Sequence, residues 1–404
     1  MPLSVTRFAI VGAVYRPLAG DPTQVELALA YRRDDTSPCL LARSTWCDWR
    51  SPPPVCESPG AVHETDLHLE PNEASDLTII GAANPGWDRT MLTVLDEANA
   101  EDALALLLHK EGCPLNDGWE AVRVPTKPSA GEDKTEDAEA CATRDGYAYL
   151  LGSQFGKKTG PLSARRSWIA RIREDELVKN DAPTLEIARL RFGLHRAVND
   201  ALKPIDLLPL GPLGRERYID ATIKAGEKKR WAGRVQPGDQ PINVEAMEFT
   251  AGGSLLLGLR YPVTRDGHPL LVEILRPETL FEDPGAVPEA GRVWWLGQIG
   301  SAAAPAGFRA LDTRGDNVFD AVIGDLDAAN KSATVLEDHP EGGNAASEHV
   351  RFTLTPGGGP VSAETLHHFG ELRRVEGVAI DHEGHSHFVI DEEGHVALRT
   401  LVIE

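Results

Sequence analysis

Hydrophobic and polar positions follow one grammar along this chain: a charged residue, a short alternating strand, a glycine turn, then a strand of aliphatics. The clearest statement of it is 243–277, NVEAMEFTAGGSLLLGLRYPVTRDGHPLLVEILRP. Glu245–Phe249 alternates polar and apolar, Gly252-Gly253 turns the chain, and Ser254–Leu259 is an apolar run. A looser turn at Asp266-Gly267 leads into Leu270–Leu275, which Arg276-Pro277 stops, because proline cannot continue a strand ladder.

Four further copies read the same way. One begins at Glu73 with EASDLTII, continues through Met91–Leu95, and adds Ala103–His109 (strand or short helix) and Gly118–Pro125. Another is Glu139–Arg173; a later one opens near Arg309 with FRALDTRGDNVFDAVIGDLDAA and adds Glu348–Leu354; the last starts at Glu376. The leading residues Glu73, Glu139, Glu245, Arg309 and Glu376 are spaced by 66, 106, 64 and 67 residues. Residues 174–230, of mixed periodicity, account for the long interval and are read as a partly helical insertion outside the ring. Ser4–Val14, Gln24–Arg32, Pro38–Ser44 and His63–Glu70 read as N-terminal strands. Pairing such strands with the C-terminal hairpin closes a ring and removes both open edges. The expectation is an all-β chain, 1–404, forming a single β-propeller, with six blades favoured and five or seven allowed.

Composition narrows the partners. Asp and Glu number 62 against 41 Lys and Arg, a net charge of -21, so duplexes and anionic membranes are repelled at long range. No nucleic acid and no membrane are expected among the partners. The short apolar run Phe8–Val14 is broken by Gly12 and followed by Arg16-Pro17, which fits a first strand better than a signal peptide. Five cysteines without C-x-x-C spacing fit reduced thiols in a cytoplasmic protein. No G-x-S-x-G elbow, P-loop or dinucleotide fingerprint occurs.

Three groups of residues remain as site candidates. In a propeller the innermost strands line a central channel, so Glu73, Glu139, Glu245, Arg309 and Glu376 converge there. They read as clasps between blades, with a cation or basic ligand as the alternative. After the second strand of each copy stand Asp96, Glu97, Ser153, Gln154, Arg260, Asp325 and Asp391, which share one rim. Lys157, Lys158, Arg165 and Arg166 add a basic side to that rim, suited to a small acidic or phosphorylated ligand. Finally His382, His385, His387 and His395 crowd the last hairpin with Asp381 and Asp391; His385 and His387 fall on one strand face, a metal-like spacing.

The segments EAMEFTAGGSLLLGLRYPV and GHPLLVEILRP, with EACATRDGYAYLLGSQFGKK and RSWIARIR, resemble the bacterial domain-of-unknown-function family 3616. That family is similar in turn to propellers labelled as having the esterase-like activity of phytase. The resemblance runs from about Glu73 to the end, and its GS-x-x-x-K-K loop carries Gln154 where the family tends to have His. It implies a propeller fold and brings no established catalytic residues. Two functions are expected from different classes. One is a protein-binding propeller without cofactor, a partner, scaffold or regulatory subunit, supported by the charged loop 126–137, the insertion, and Trp46 and Trp49. The alternative is a hydrolase of an ester or phosphoester, assisted by calcium or zinc held at the channel.

Overall fold

The computed structural model describes the backbone of three N-terminal strands, Ala9–Leu18, Asp21–Arg32 and Leu40–Cys47, and then residues 62–69, 73–96, 98–129, 134–179, 182–283, 285–327, 333–392 and 395–402. Glu97, Trp49 and part of the 126–137 loop lie outside the described residues, as does the side chain of Trp46. The chain divides into two compact units, residues 1–58 and residues 59–404, where the sequence suggests one domain.

In the first unit the three N-terminal strands pair as one antiparallel sheet in chain order. In the second, five sheets repeat an antiparallel meander from an inner to an outer strand. Blade 1 is Ser75–Ile79, Trp87–Val94, Leu104–Lys110 and Trp119–Arg123. Blade 2 runs Ala138–Arg144, Tyr147–Gly152, Trp168–Arg173 and Thr184–Arg189. Blade 3 is Asn243–Phe249, Leu255–Tyr261, Leu270–Leu275 and Glu289–Leu296. Blade 4 is Gly307–Gly315, Val318–Gly324, Glu348–Thr353 and Ala363–His368. Blade 5 holds Ala379–Ile380, Ser386–Glu392 and His395–Leu401, and its fourth strand is Val62–Leu67, from far upstream.

The fold class is therefore the one the pattern predicts, a β-propeller, with five blades rather than the favoured six. The difference has a simple origin. Four N-terminal strands are legible in the sequence, but only Val62–Leu67 pairs with the C-terminal hairpin, and the other three pair among themselves. Two short parallel additions stitch neighbours together: Lys127–Pro128 joins blade 2 and Gly359–Val361 joins blade 3. Proline and glycine are tolerated there because both additions lie at sheet edges.

Both faces of each sheet are buried, which explains the aliphatic runs. Leu92 and Leu106 of blade 1 pack on Ala148 and Leu150 of blade 2. Ala246 and Leu256 of blade 3 meet Phe308 and Leu311 of blade 4. Ala310 and Val322 meet Phe388 and Ile390, and Val389 and Leu398 meet Leu77 and Met91, closing the circle.

The supposed insertion is only partly one. Thr184–Arg189 is the outer strand of blade 2, so the interpolated segment is 190–242. It carries the helix Gly193–Leu202 and a helical run from Pro212 to Gly226 whose central turn is a π-helix. Leu194, Val198 and Leu202, four residues apart, face the core with Leu270 and Val272 of blade 3. Tyr218 and Ile219 pack with Phe155, Val263 and Leu326 from the connections after the second strands of blades 2, 3 and 4. Among the described residues, no helix is long and apolar enough to cross a membrane.

Candidate functional site at the channel mouth

Each inner strand begins with an irregularity that decides what faces the channel. The register skips one residue between Ser75 and Leu77, Ala138 and Ala140, Val244 and Ala246, and Phe308 and Ala310. The extra residues are Asp76, Glu139, Glu245 and Arg309. In blade 5, Val375 pairs with Ile390 but Ala379 pairs with His387, so one residue is again extra, and the Glu376 amide donates to Val389 O. A bulge releases its residue from the ladder and re-aims its side chain; four of the five side chains gather at the mouth, while Asp76 reaches Cys141 N and lies beside the deeper acids. Those four are the leading residues expected from the sequence. In blade 1 the position belongs to Asp76, and Glu73 stands ahead of the strand. Repeat spacing drifts by a few residues, so counting cannot distinguish 73 from 76. The left-handed φ of 48° at Asp76 is tolerable for an Asp.

Arg309, buried, donates from Nη1 to Glu245 Oε2 at 3.0 Å and from Nη2 to Glu376 Oε1 at 2.5 Å. Arg260 donates from Nη1 to Glu245 Oε1 at 2.7 Å and from Nη2 to Asp325 Oδ1 at 3.1 Å. Glu245 is thus gripped by two guanidiniums. Burial pushes its carboxyl up, but the charges of Arg260 and Arg309 outweigh burial and hold it below the usual range. At Glu376 burial prevails over Arg309, and the carboxyl is pushed up to about 7. For this part of the ring, blades 3, 4 and 5, the geometry is that of a clasp.

Blade 2 differs. Glu139 accepts from Ser75 Oγ at 3.3 Å, and burial, together with the charges of Asp96, Asp137, Glu245 and Glu376, pushes its carboxyl well above the usual range. Carboxylate oxygens of Asp96, Asp137 and Glu139 lie within 4.8 Å of one another. Asp137 also accepts from Ser153 Oγ and forms a 2.7 Å ion pair with Arg166 Nη1. Three carboxylates at this separation offer the hard oxygen donors that calcium or magnesium takes.

Of the rim candidates, Asp96, Ser153, Arg166, Arg260 and Asp325 therefore join the mouth. Asp391 accepts from Arg374 Nη1 at 3.3 Å, and its charge bears on Glu376. Gln154 is buried beside the mouth, donating from Nε2 to Gly152 O at 2.8 Å and Arg166 O at 3.2 Å. Lys157 and Arg165 are exposed, the latter paired with Glu136, and Lys158 contributes its carbonyl, which accepts from Tyr218 Oη at 2.7 Å.

The histidines do not assemble as their spacing suggests. His385 Nδ1 and His387 Nε2 both lie 3.0 Å from Asp381 Oδ2, on one face as expected. Arg89 Nε donates to the same oxygen at 2.8 Å, and its Nη2 donates to Glu383 Oε2 at 2.5 Å. The oxygens of Asp381 and Glu383 that approach His385 closely enough for a metal therefore already face a guanidinium. His382 is exposed, and His395 lies 3.6 Å from Asp66 instead.

Deeper in the channel are residues the sequence reading passed over. Glu248 and Asp312 stand three residues after the bulges of blades 3 and 4, and that shared offset was the available signal. Their side chains hydrogen-bond to each other; Asp312 Oδ2 accepts from Ile380 N of blade 5 at 2.5 Å. Asp76 Oδ2 accepts from Cys141 N of blade 2 at 2.9 Å. Burial, then the neighbouring acids, push Glu248 well above the usual range, and burial pushes Asp312 up to about 7.

At the opposite ends of the same strands, a groove of 720 Å³ opens among the turns of blades 2, 3 and 4. Arg144, Tyr149, Phe249, Arg292, Trp294 and Thr355 shape it. Its floor is tied by Arg292, which holds Glu273 through Nη2 at 2.7 Å and Nε at 2.8 Å.

No family model matches this sequence, and no curated protein matches it. Three solved structures give the comparison. The extracellular domain of a hybrid two component system from B. thetaiotaomicron shares 9% identity over 84% of this chain, which spans only 40% of that one, with a TM-score of 0.31. Pseudomonas fluorescens PhoX, in complex with the transition state analogue vanadate, shares 10% identity over 97% of this chain and 88% of its own, with a TM-score of 0.34. The soluble aldose sugar dehydrogenase of Escherichia coli shares 9% over 96% and 99%, with a TM-score of 0.30. No residue role carries over at this distance, and the five blades stand on their own strand pairing.

Proposed function

We propose that this protein is a binding propeller, a partner or scaffold for another protein in the bacterial cytoplasm, which it engages through the groove beneath blades 2, 3 and 4. The observation that carries this reading is the groove itself: 720 Å³, walled by aromatic and arginine side chains, and built on rigid strand ends. The arginine clasps support it from the other side, since Glu245 is already consumed by Arg260 and Arg309. A photo-crosslinking amino acid at Thr355, compared with one at Val122 on the outer strand of blade 1, tests it in the native host. The expected outcome is a protein captured only from Thr355 that rebinds the purified chain. Identical captures at both positions would count against the groove.

The hydrolase alternative keeps one specific support, the Asp96–Asp137–Glu139 group, where Arg166 pairs with Asp137 and, among the described residues, Glu139 has no guanidinium grip of the kind that holds Glu245. In that reading these three carboxylates hold a divalent cation. Calcium at a hundred times its dissociation constant then stabilises the fold by roughly 2.7 kcal/mol. Glu139→Gln abolishes that gain and Glu245→Gln, a clasp residue, does not. A melting temperature indifferent to calcium, magnesium and zinc ends the alternative.

A further inference from the structure

Guanidinium–aromatic stacks are concentrated in one part of the described structure. Arg171 lies over Tyr147 at 4.9 Å and over Phe281 at 4.5 Å, and Arg173 over Tyr147 at 5.4 Å. Arg144 lies over Phe249 at 5.6 Å and Arg292 over Trp294 at 5.1 Å. All of these residues belong to blades 2 and 3 or the connections next to them. The register explains the arrangement. Tyr147 pairs with Arg173 and Tyr149 with Arg171, so alternation puts all four on one face of blade 2. Tyr149 then meets Phe249 edge-on at 4.8 Å and Phe281 at 6.0 Å, continuing the ladder into the groove.

Stacking fixes the plane of a guanidinium and leaves its N–H edge available, which is the geometry that grips a carboxylate. Arg292 is committed to buried Glu273 and Pro356 O, and Arg144 Nη1 donates to Thr250 O at 2.9 Å, but the remaining edges meet exposed acids. Arg171 pairs with Glu186, Arg173 with Asp175 and Arg144 with Asp145, whose side chains are 41%, 46% and 80% exposed. Exposed pairs of this kind contribute little and exchange readily. Between the arginines, Tyr147, Phe281 and Leu275 are only half-buried, so apolar surface and oriented positive charge alternate along this face.

We propose that this face of blade 2 and the groove beside it receive an extended acidic segment of a partner protein. Carboxylates of the segment replace Asp145, Asp175 and Glu186 on the stacked arginines, and its intervening apolar side chains cover Tyr147 and Phe281. The net charge of -21 opposes approach, but that repulsion is screened beyond about 8 Å in physiological salt, and short-range pairing decides the complex. The proposal rests on the protein-binding reading and adds the chemistry of the partner.

The test uses the full chain and two labelled peptides, one alternating Glu with Leu and Val, the other with every Glu replaced by Gln, read by fluorescence anisotropy. The Glu peptide is expected to bind at least about tenfold tighter than the Gln peptide at physiological salt, and to lose that advantage at about 1 M salt, where short-range pairing is screened too. Arg171→Gln with Arg173→Gln should cost at least about tenfold for the Glu peptide alone. Should that pair not fold, Arg144→Gln, at the groove end, gives the same readout. The control is Lys228→Gln with Lys229→Gln, exposed cations after the helical run that ends at Gly226. Equal affinity for the two peptides, no binding of either, or loss of binding in the lysine control overturns the proposal. So does dimerisation of the chain at low salt that the arginine variant removes, because the occupant is then a second copy. If Thr355 crosslinking returns a groove partner while the Glu peptide shows no advantage, protein binding stands and the acidic occupant falls.

Discussion

At the scale of single residues, the channel separates two kinds of buried carboxyl. Glu245 stays ionised between Arg260 and Arg309, whereas Glu248 and Asp312 share a hydrogen bond that requires a proton. In the unfolded chain all of them titrate near about 4. Above that pH the unfolded chain has released protons that the folded channel still holds, so stability falls as pH rises, until Asp312 ionises at about 7. The slope attributable to one such proton is at most about 1.4 kcal/mol per pH unit. Glu248→Gln keeps a hydrogen-bond donor toward Asp312 and removes the titration. Its melting temperature is expected to exceed that of the unmodified protein at about pH 8 and to approach it at about pH 5. Parallel curves would show that the pair does not titrate in this window. Glu273, paired with Arg292, acts in the opposite sense: the arginine bonds outweigh burial and bring it down to about 2, so its contribution is present above about 4 and fades only in acid.

Among the elements, the helix Gly193–Leu202 decides how much of the interpolated segment is dispensable. Leu194, Val198 and Leu202 are buried against blade 3, and the helix packs on the strand Glu289–Leu296. Leu194→Ala should therefore cost about 2–5 kcal/mol, the range for a core leucine that leaves a cavity. Deleting 174–230 removes the outer strand of blade 2 as well as this helix, and should yield a chain that does not fold cooperatively. A deletion variant with an unchanged denaturant midpoint would show that blade 2 tolerates an open edge. This element was half legible. The i, i+4 series Leu194, Val198 and Leu202 marks a helix, but no local pattern says that Thr184–Arg189 belongs to the preceding blade.

For the molecule as a whole, closure rests on one strand. Val62–Leu67 pairs with Val396–Leu401 residue for residue, and Arg399 reaches Glu64 Oε2 at 2.8 Å. A chain starting at residue 59 keeps this pairing and should unfold in a single transition; one starting at residue 70 exposes the edge of blade 5 and should unfold early and aggregate. Similar unfolding of both truncations would mean that blade 5 is held by its inner contacts alone.

The sequence by itself determined the strands, their turns and the repeat, because alternation and glycine punctuation are local properties read within a few residues. It also determined four of the five channel residues, Glu139, Glu245, Arg309 and Glu376, since bulge positions recur with the repeat. Only the tertiary structure decided that the blade 1 bulge falls on Asp76 and not on Glu73, and that three N-terminal strands pair with each other while a fourth closes the ring. Those outcomes depend on which edges meet across hundreds of residues, a competition that leaves no periodic trace. The charge pairing was hidden for the same reason. Glu245 and Glu139 occupy matching positions in equivalent strands, yet one faces Arg260 of its own blade and Arg309 of blade 4, and the other faces Asp137 beside it and Asp96 at the end of blade 1, so the partners come from separate strands.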